Sequence, residues 1–238
     1  MNDGGRGRRE FLAGVAGTSA FLLADGARAA AGARAKRGKA EEDIPPTEDL
    51  MREHGVLRRL LLVYNEAASR LAANVADAKA ADVDVIAGAA SIVRRFVEGY
   101  HEKLEEDFVL PKLEQAGKLV DLTTVIRTQH AAGRKLTDTI AKAAATSKAP
   151  GAEQRRAIVA SVETFTRMYT AHAAWEDTEL FPVYRALFTE KELHRLGEQF
   201  EEQEHKLLGS AGFEGALKDV GELEKAVGLH DLAAFTPR

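Results

Sequence analysis

Hydrophobic residues recur three and four positions apart along this 238-residue chain, from about residue 47 to residue 188. This spacing places them on one face of an α-helix and is typical of helices that bury that face in a shared core. The predicted buried face of the first helix carries Leu50, His54, Leu57, Leu61, Tyr64, Ala68, Leu71 and Val75. Thr47 is predicted to cap this helix, with Glu48 and Asp49 in its first turn, near the positive end of the helix dipole.

Three further segments repeat the pattern. Their predicted buried faces are Val83, Ile86, Ala90, Val93, Val97, His101, Leu104 and Phe108; Leu119, Leu122, Ile126, His130, Gly133, Thr137 and Ile140; and Ile158, Val162, Phe165, Tyr169, His172, Glu176, Val183 and Leu187. No segment shows the alternating pattern of a strand, so the chain is predicted to be all-α. Four such helices with short connections favour an up-down-up-down four-helix bundle over residues 47–188.

Residues 189–238 are predicted to form an additional C-terminal helical segment. Thr189 and Glu192 have the spacing of a capping box at its start. Because the segment is polar on most faces, two interpretations stay open: a helix that caps the bundle, or a helix that pairs with a second copy in a homo-oligomer. His194 and His205 lie here away from any clear apolar stripe, and we interpret both as surface or packing residues.

Each of the four predicted faces carries one histidine, where the pattern calls for a hydrophobic residue. A single histidine in such a position is more often a core residue with a hydrogen-bond partner than a ligand. Four of them, one from each helix, can converge at one level of a bundle. Two glutamates add to the evidence for a ligand role: Glu105 follows His101 by four residues, and Glu176 follows His172 by four. That spacing puts both side chains of a pair on one helix face.

The two halves of the chain resemble each other. HGVLRRL, which begins at His54, matches HAAGRKL, which begins at His130, and each HxxxE motif is followed six residues later by a proline, Pro111 or Pro182. Such duplication builds a pseudo-symmetric site on the bundle axis. Unpaired, these buried imidazoles and carboxylates would cost several kcal/mol each. Metal ions remove that cost: a nitrogen and oxygen donor set without thiolate suits iron, manganese or zinc. Two carboxylates able to bridge favour two ions roughly 3.5–4 Å apart.

Composition excludes several other functions. The net charge of −4 argues against a nucleic-acid partner, which requires clustered Lys and Arg. The chain contains no cysteine, which excludes disulfides, thiolate metal sites and cysteine nucleophiles. A metal-free helical bundle with structural histidines stays open as the alternative to a metal protein.

The motif order H…HxxxE…H…HxxxE resembles that of the hemerythrin-like proteins with the HHE cation-binding domain. The resemblance covers roughly residues 49–187 and both HxxxE motifs with their prolines. It implies a non-haem di-iron centre with four terminal histidine ligands and two bridging glutamates. By position these are His54, His101, His130, His172, Glu105 and Glu176.

One position departs from the oxygen-carrying members of that family. They have a fifth histidine one turn after the ligand on the third helix, where this chain has Arg134. A guanidinium stays protonated and does not bind metal, so reversible oxygen carriage is disfavoured. Arg58, Arg134 and Tyr169 are candidates for residues that contact the ligands from outside.

Several activities stay open for such a centre. The resemblance implies a metal-binding protein that meets O2, NO or peroxide as a small ligand. The alternatives are a redox enzyme of the peroxide-consuming or ferroxidase type, and a protein that donates iron.

The first 35 residues differ from the rest. Arg8 and Arg9 precede a short apolar run rich in Gly and Ala, and Phe11 and Leu12 complete a resemblance to twin-arginine export signals. We therefore predict a targeting segment over residues 1–35, a linker over residues 36–46, and a mature protein that is exported, to the periplasm in a bacterium, without a stable membrane anchor.

Overall fold

The computed structural model describes residues 44–73, 79–146 and 149–237. The predicted targeting segment and most of the linker lie outside the described residues. Long helices dominate the described part: α1 (Pro46–Ala72), α2 (residues 79–115), α3 (Val120–Thr146), α4 (residues 152–185), α5 (Glu190–Leu208) and α6 (Gly212–Val227). Two 3₁₀ turns, Gly209–Ala211 and Leu232–Phe235, follow α5 and α6. These residues contain no strand, so the all-α prediction is confirmed.

Helix α1 begins earlier than its sequence pattern predicts. Its N-cap is Pro45, and Pro46 is its first helical residue, so the prediction of Thr47 as the cap is wrong. Proline suits this position because its fixed φ matches the helix and the first turn needs no N–H donor. Glu48 and Asp49 do lie in the first turn.

Helices α2 and α4 each change to a wider π-helical turn at a predicted bridging glutamate. The N–H of Leu110 donates to the carbonyl of Glu105, five residues back, and the N–H of Phe181 donates in the same way to Glu176. The next residue in each helix is a proline, which lacks an N–H and would crowd the carbonyl four residues back in an α-helix. The π-turns Glu105–Val109 and Glu176–Leu180 accommodate it. In α2, residues Val93–His101 form a further π-helical stretch.

Each π-turn shifts the buried face by one residue. Phe108, Val183 and Leu187 are only half-buried, contrary to the sequence pattern. Their neighbours fill the core instead: Val109, Leu110, Leu113, Leu180, Phe181 and Tyr184. Before the π-turns the predicted faces of α1, α2 and α4 are buried, wherever the structure describes them.

The four long helices enclose a common core. Helix α1 packs against α2 and α4, and α3 packs against the same two. Helix α6 lies on α1 and α2, where Arg59 donates to both carboxylate oxygens of Glu224, at 2.7 and 2.5 Å. The predicted extension is therefore two helices, which cover one face of the bundle. The capping box of Thr189 and Glu192 is confirmed at the start of α5. Within the described ranges, none of the helices has the length and apolar character needed to cross a membrane.

Candidate metal centre

The six predicted ligands come together in the core. Helix α1 contributes His54, α2 contributes His101 and Glu105, α3 contributes His130, and α4 contributes His172 and Glu176. Each is at most 2% exposed. Since burying this many titratable groups is costly without compensation, the cluster requires a specific explanation.

The two carboxylates lie between the histidines. Glu105 Oε1 is 3.6 Å from His101 Nε2, and Glu105 Oε2 is 3.3 Å from His130 Nε2. Glu176 Oε2 is 3.3 Å from His54 Nε2 and 3.0 Å from His172 Nε2. Among the described residues, three groups of donor atoms lie close enough together for a metal ion. Two of them share Glu105: one adds His54 and His101, and the other adds His130, His172 and Glu176. The third consists of Glu102, Glu106 and His130.

Two of the histidines are held by the acids that directly follow Glu105 and Glu176. His54 Nδ1 lies 2.7 Å from Asp177 Oδ1, and His130 Nδ1 lies 3.1 Å from Glu106 Oε1. Both contacts assign the proton to Nδ1, because a carboxylate only accepts. When such a ring is neutral, its Nε2 faces the centre as a lone pair, which is the arrangement of a metal-binding histidine.

The other two histidines are held by the residues that precede the single histidines of α1 and α3. His101 Nδ1 donates to Glu53 Oε2 at 2.7 Å, and His172 Nδ1 donates to Gln129 Oε1 at 2.9 Å. The internal duplication thus extends beyond the ligands to the acceptors that orient them.

The atoms that face the centre lack protein partners. Three imidazole nitrogens and four carboxylate oxygens are fully buried without a hydrogen bond: Nε2 of His54, His101 and His130, and both oxygens of Glu105 and Glu176. Such atoms cost about 1–3 kcal/mol each when unsatisfied, and more when charged. Cations between the histidines and the carboxylates would satisfy all of them, so the residues present fit a metal centre.

The pKa values indicate which groups of the centre carry a proton when no metal is bound. Burial disfavours the charged form of His54, but the neighbouring carboxylates of Asp177 and Glu176 outweigh burial and raise its pKa to about 10. His130 behaves alike: burial is outweighed by Glu105 and Glu106, and its pKa is raised to about 10. Burial lowers the pKa of His172 to about 3. Protons thus supply part of the missing positive charge, and metal would displace them.

The pKa values of the two carboxyl groups, Glu105 and Glu176, are shifted in opposite directions. Burial, and then repulsion from Glu105, raise the pKa of the Glu176 carboxyl to about 7. Burial also opposes ionisation of Glu105, but the nearby charges of His101 and His130 outweigh it and hold its pKa below the usual range. Two like charges this close ionise together only with added positive charge.

The three outer candidates contact carboxylates that are adjacent to predicted ligands in the sequence. Arg58 pairs with Asp177, and Arg134 Nη2 lies 2.8 Å from both Glu106 Oε1 and Glu102 Oε2. The hydroxyl of Tyr169 donates to Glu102 Oε1 at 2.6 Å. Arg134, at the position of the fifth histidine, therefore engages carboxylates outside the centre.

Sequence reasoning missed the residues that position the ligands. These are Glu53, Glu102, Glu106, Gln129, Asp177 and Gly133, where Gly133 leaves room for the Tyr169 ring. Five of them are adjacent to a predicted ligand in sequence, and four of those, Glu53, Glu106, Gln129 and Asp177, lie at equivalent places in the two halves. Extending the comparison of the halves by one residue on each side would have found those four.

Comparison with known proteins agrees with the site. Residues 46–184 match the Hemerythrin HHE cation binding domain. An uncharacterised protein of Mycobacterium tuberculosis is 41% identical over 236 residues, which cover 97% of this chain and 91% of that protein. An uncharacterised protein of Mycobacterium bovis matches to the same extent. From its sequence match and its buried histidine and glutamate cluster, the chain belongs to the hemerythrin HHE cation-binding family.

Proposed function

We propose that this chain binds two iron ions in its core and that the centre interacts with O2, NO or peroxide. The observation that carries the proposal is the set of buried imidazole nitrogens and carboxylate oxygens without hydrogen-bond partners. His54 and His101 would hold one ion, His130 and His172 the other, and Glu105 and Glu176 would bridge them. A metal-free structural bundle would leave these atoms unsatisfied.

Iron is the proposed metal because the site offers imidazole and carboxylate donors only, and the chain has no thiolate. Manganese and zinc accept the same donors, and metal analysis of the purified protein distinguishes iron, manganese and zinc. The bound iron would supply the redox chemistry and the affinity for a diatomic ligand. The chain's own residues fix the imidazole orientation through Nδ1 and shield the centre from bulk water by burial.

Two histidines for each ion favour reaction over reversible oxygen carriage. Arg134 cannot serve as a fifth histidine, and its guanidinium is engaged by Glu102 and Glu106. A redox enzyme that consumes peroxide is the second candidate. It is favoured by the Tyr169 hydroxyl, which is hydrogen-bonded to buried Glu102, and by the Tyr169 ring, which lies 5.2 Å from that of His172.

We also propose that the protein is exported and that its four long helices run up-down-up-down. The Arg8-Arg9 segment supports export by the twin-arginine route, which suits a protein that folds around its cofactor first. The short connections between α1, α2, α3 and α4 support the up-down-up-down order. Lysine substitution of Arg8 and Arg9 should retain the protein in the cytoplasm on cell fractionation, and periplasmic protein in that variant would contradict export by this route.

Metal analysis tests the central claim. The full chain, without a histidine tag, is produced in an aerobic, iron-supplied host and examined by mass spectrometry for metal and by visible spectroscopy. About two irons per chain with oxo-bridged charge-transfer bands are expected. The variant His54→Ala should lose iron, whereas His205→Ala, at an exposed histidine, should keep it. A folded protein that takes up no metal after anaerobic reconstitution would overturn the proposal.

A further inference from the structure

Each of the four ligand histidines is held through Nδ1 by one side chain, and these four hydrogen bonds follow the internal duplication except in the type of one pair of acceptors. Glu53 and Gln129 occupy equivalent places, each directly before the single histidine of its helix. Each accepts a hydrogen bond from the histidine of an HxxxE motif, Glu53 from His101 and Gln129 from His172. One acceptor is a carboxylate and the other is a neutral amide.

The second pair of outer acceptors is balanced. Asp177 and Glu106 are both carboxylates, and each contacts the arginine four residues after the histidine it orients, Arg58 or Arg134. The contributions of this pair to the two halves of the centre are therefore matched in charge. Glu102 also lacks a counterpart, since Ala173 stands at the equivalent place, but its carboxylate is engaged by Arg134 and Tyr169 rather than by a ligand histidine. Among the acceptors that hold the ligand histidines, the difference between the halves comes from Glu53 and Gln129.

The surroundings strengthen that difference. Glu53 is 2% exposed, whereas Gln129 is half-buried. A carboxylate inside the protein is screened little by solvent, so its charge acts at nearly full strength on the ring it holds. A carboxylate acceptor also makes a stronger hydrogen bond than an amide and increases the basicity of a metal-binding imidazole. His101 Nε2 faces the centre without a hydrogen-bond partner, and it receives this effect.

We propose that the two metal positions are inequivalent, and that the position at His54 and His101 binds its ion more tightly and fills first because of Glu53. This inference rests on the proposed function, since it requires that both positions bind metal. The expected ratio of the two affinities is about 10- to 100-fold, the usual effect of an outer hydrogen-bond partner of a metal ligand.

Partial loading with Co2+ tests the order. Crystals of the metal-free full chain, grown with one equivalent of Co2+, should show anomalous density between His54 and His101 and little between His130 and His172. Equal density at the two positions, or preference for the His130 position, would overturn the inference while leaving the dinuclear centre intact. No bound metal at any Co2+ or Fe2+ concentration would overturn the proposed function itself.

Exchange of the two acceptors tests the cause. Glu53→Gln should weaken the tighter of the two Co2+ binding steps by about 10- to 100-fold, and Gln129→Glu should tighten the weaker step by a similar factor. The double variant should reverse the order of filling in the same crystallographic experiment. Gln129→Glu alters a half-buried side chain, so it remains decisive if Glu53→Gln fails to fold. Unchanged binding steps in a folded Gln129→Glu variant would refute the role of this pair.

Discussion

The hydroxyl of Tyr169 occupies the space into which a side-chain methyl on Gly133 would project. Gly133 lies three residues after His130 on α3, so the absence of a side chain there lets the Tyr169 ring pass close to the helix. The glycine thereby allows Tyr169 to reach Glu102 on α2. Three helices are linked by this one contact beside the centre.

Gly133→Ala should destabilise the protein. Overpacking against Tyr169 costs about 1–3 kcal/mol, while the better helix propensity of alanine returns about 1 kcal/mol. We expect a net loss of up to about 2 kcal/mol in the free energy of unfolding of the metal-free protein, measured in urea. The matched control is Gly221→Ala in α6, where an added methyl meets nothing within 4 Å and should stabilise the helix. Equal effects at the two glycines would contradict this account.

Tyr169→Phe should also destabilise, for a different reason. It removes the hydrogen-bond donor of Glu102, a carboxylate with no exposed surface, and an unsatisfied buried group of this kind costs about 1–3 kcal/mol. Tyr64→Phe is the comparison, because Tyr64 is equally buried but its hydroxyl has no hydrogen-bond partner. Thermal and urea unfolding should show a loss for Tyr169→Phe and a neutral or favourable change for Tyr64→Phe. The reverse order would argue against the Tyr169 to Glu102 hydrogen bond.

The sequence pattern predicted the helices and the convergence of the six candidate ligands because both depend on helical periodicity. It failed beyond Glu105 and Glu176, since a π-turn changes that periodicity and nothing in the hydrophobic pattern marks it. The prolines that follow were visible, but their effect on the hydrogen-bond ladder needs the backbone. Gln129 and Asp177 were missed because a polar side chain at a half-exposed helix position looks like an ordinary surface residue.

The contact between α6 and the bundle should depend on Glu224. Glu224 is 7% exposed, and its carboxylate receives two hydrogen bonds from Arg59 of α1. Glu224→Gln should lower the free energy of unfolding by about 1–3 kcal/mol, because the guanidinium loses a charged partner in a partly buried place. Glu222→Gln, two residues earlier, breaks only the exposed pair with Lys225 and should change nothing measurable. Urea unfolding of the two variants decides whether this pair holds the extension in place.

Without metal, stability should fall as the pH rises from about 7 to about 10. His54 and His130 have a pKa of about 10 in the folded chain, against about 6.5 for an unperturbed histidine, which applies to the unfolded chain. Below pH 6.5 both states hold these protons and the stabilisation is complete. Above pH 6.5 the unfolded state releases these protons first. Each group then lowers the free energy of unfolding by about 1.4 kcal/mol per pH unit until the folded pKa is reached.

Urea unfolding of the metal-free protein at several pH values measures this slope. His54→Gln should remove the contribution of one group and flatten the slope, whereas His205→Gln, at an exposed histidine, should leave it unchanged. Metal-loaded protein should not lose stability over this interval, because bound metal replaces the two protons and the histidines bind it in neutral form. A free energy of unfolding that stays flat or rises from pH 7 to pH 10 in metal-free protein would show that His54 and His130 are not charged there. The carboxylates of Glu105 and Glu176 would then need another source of positive charge.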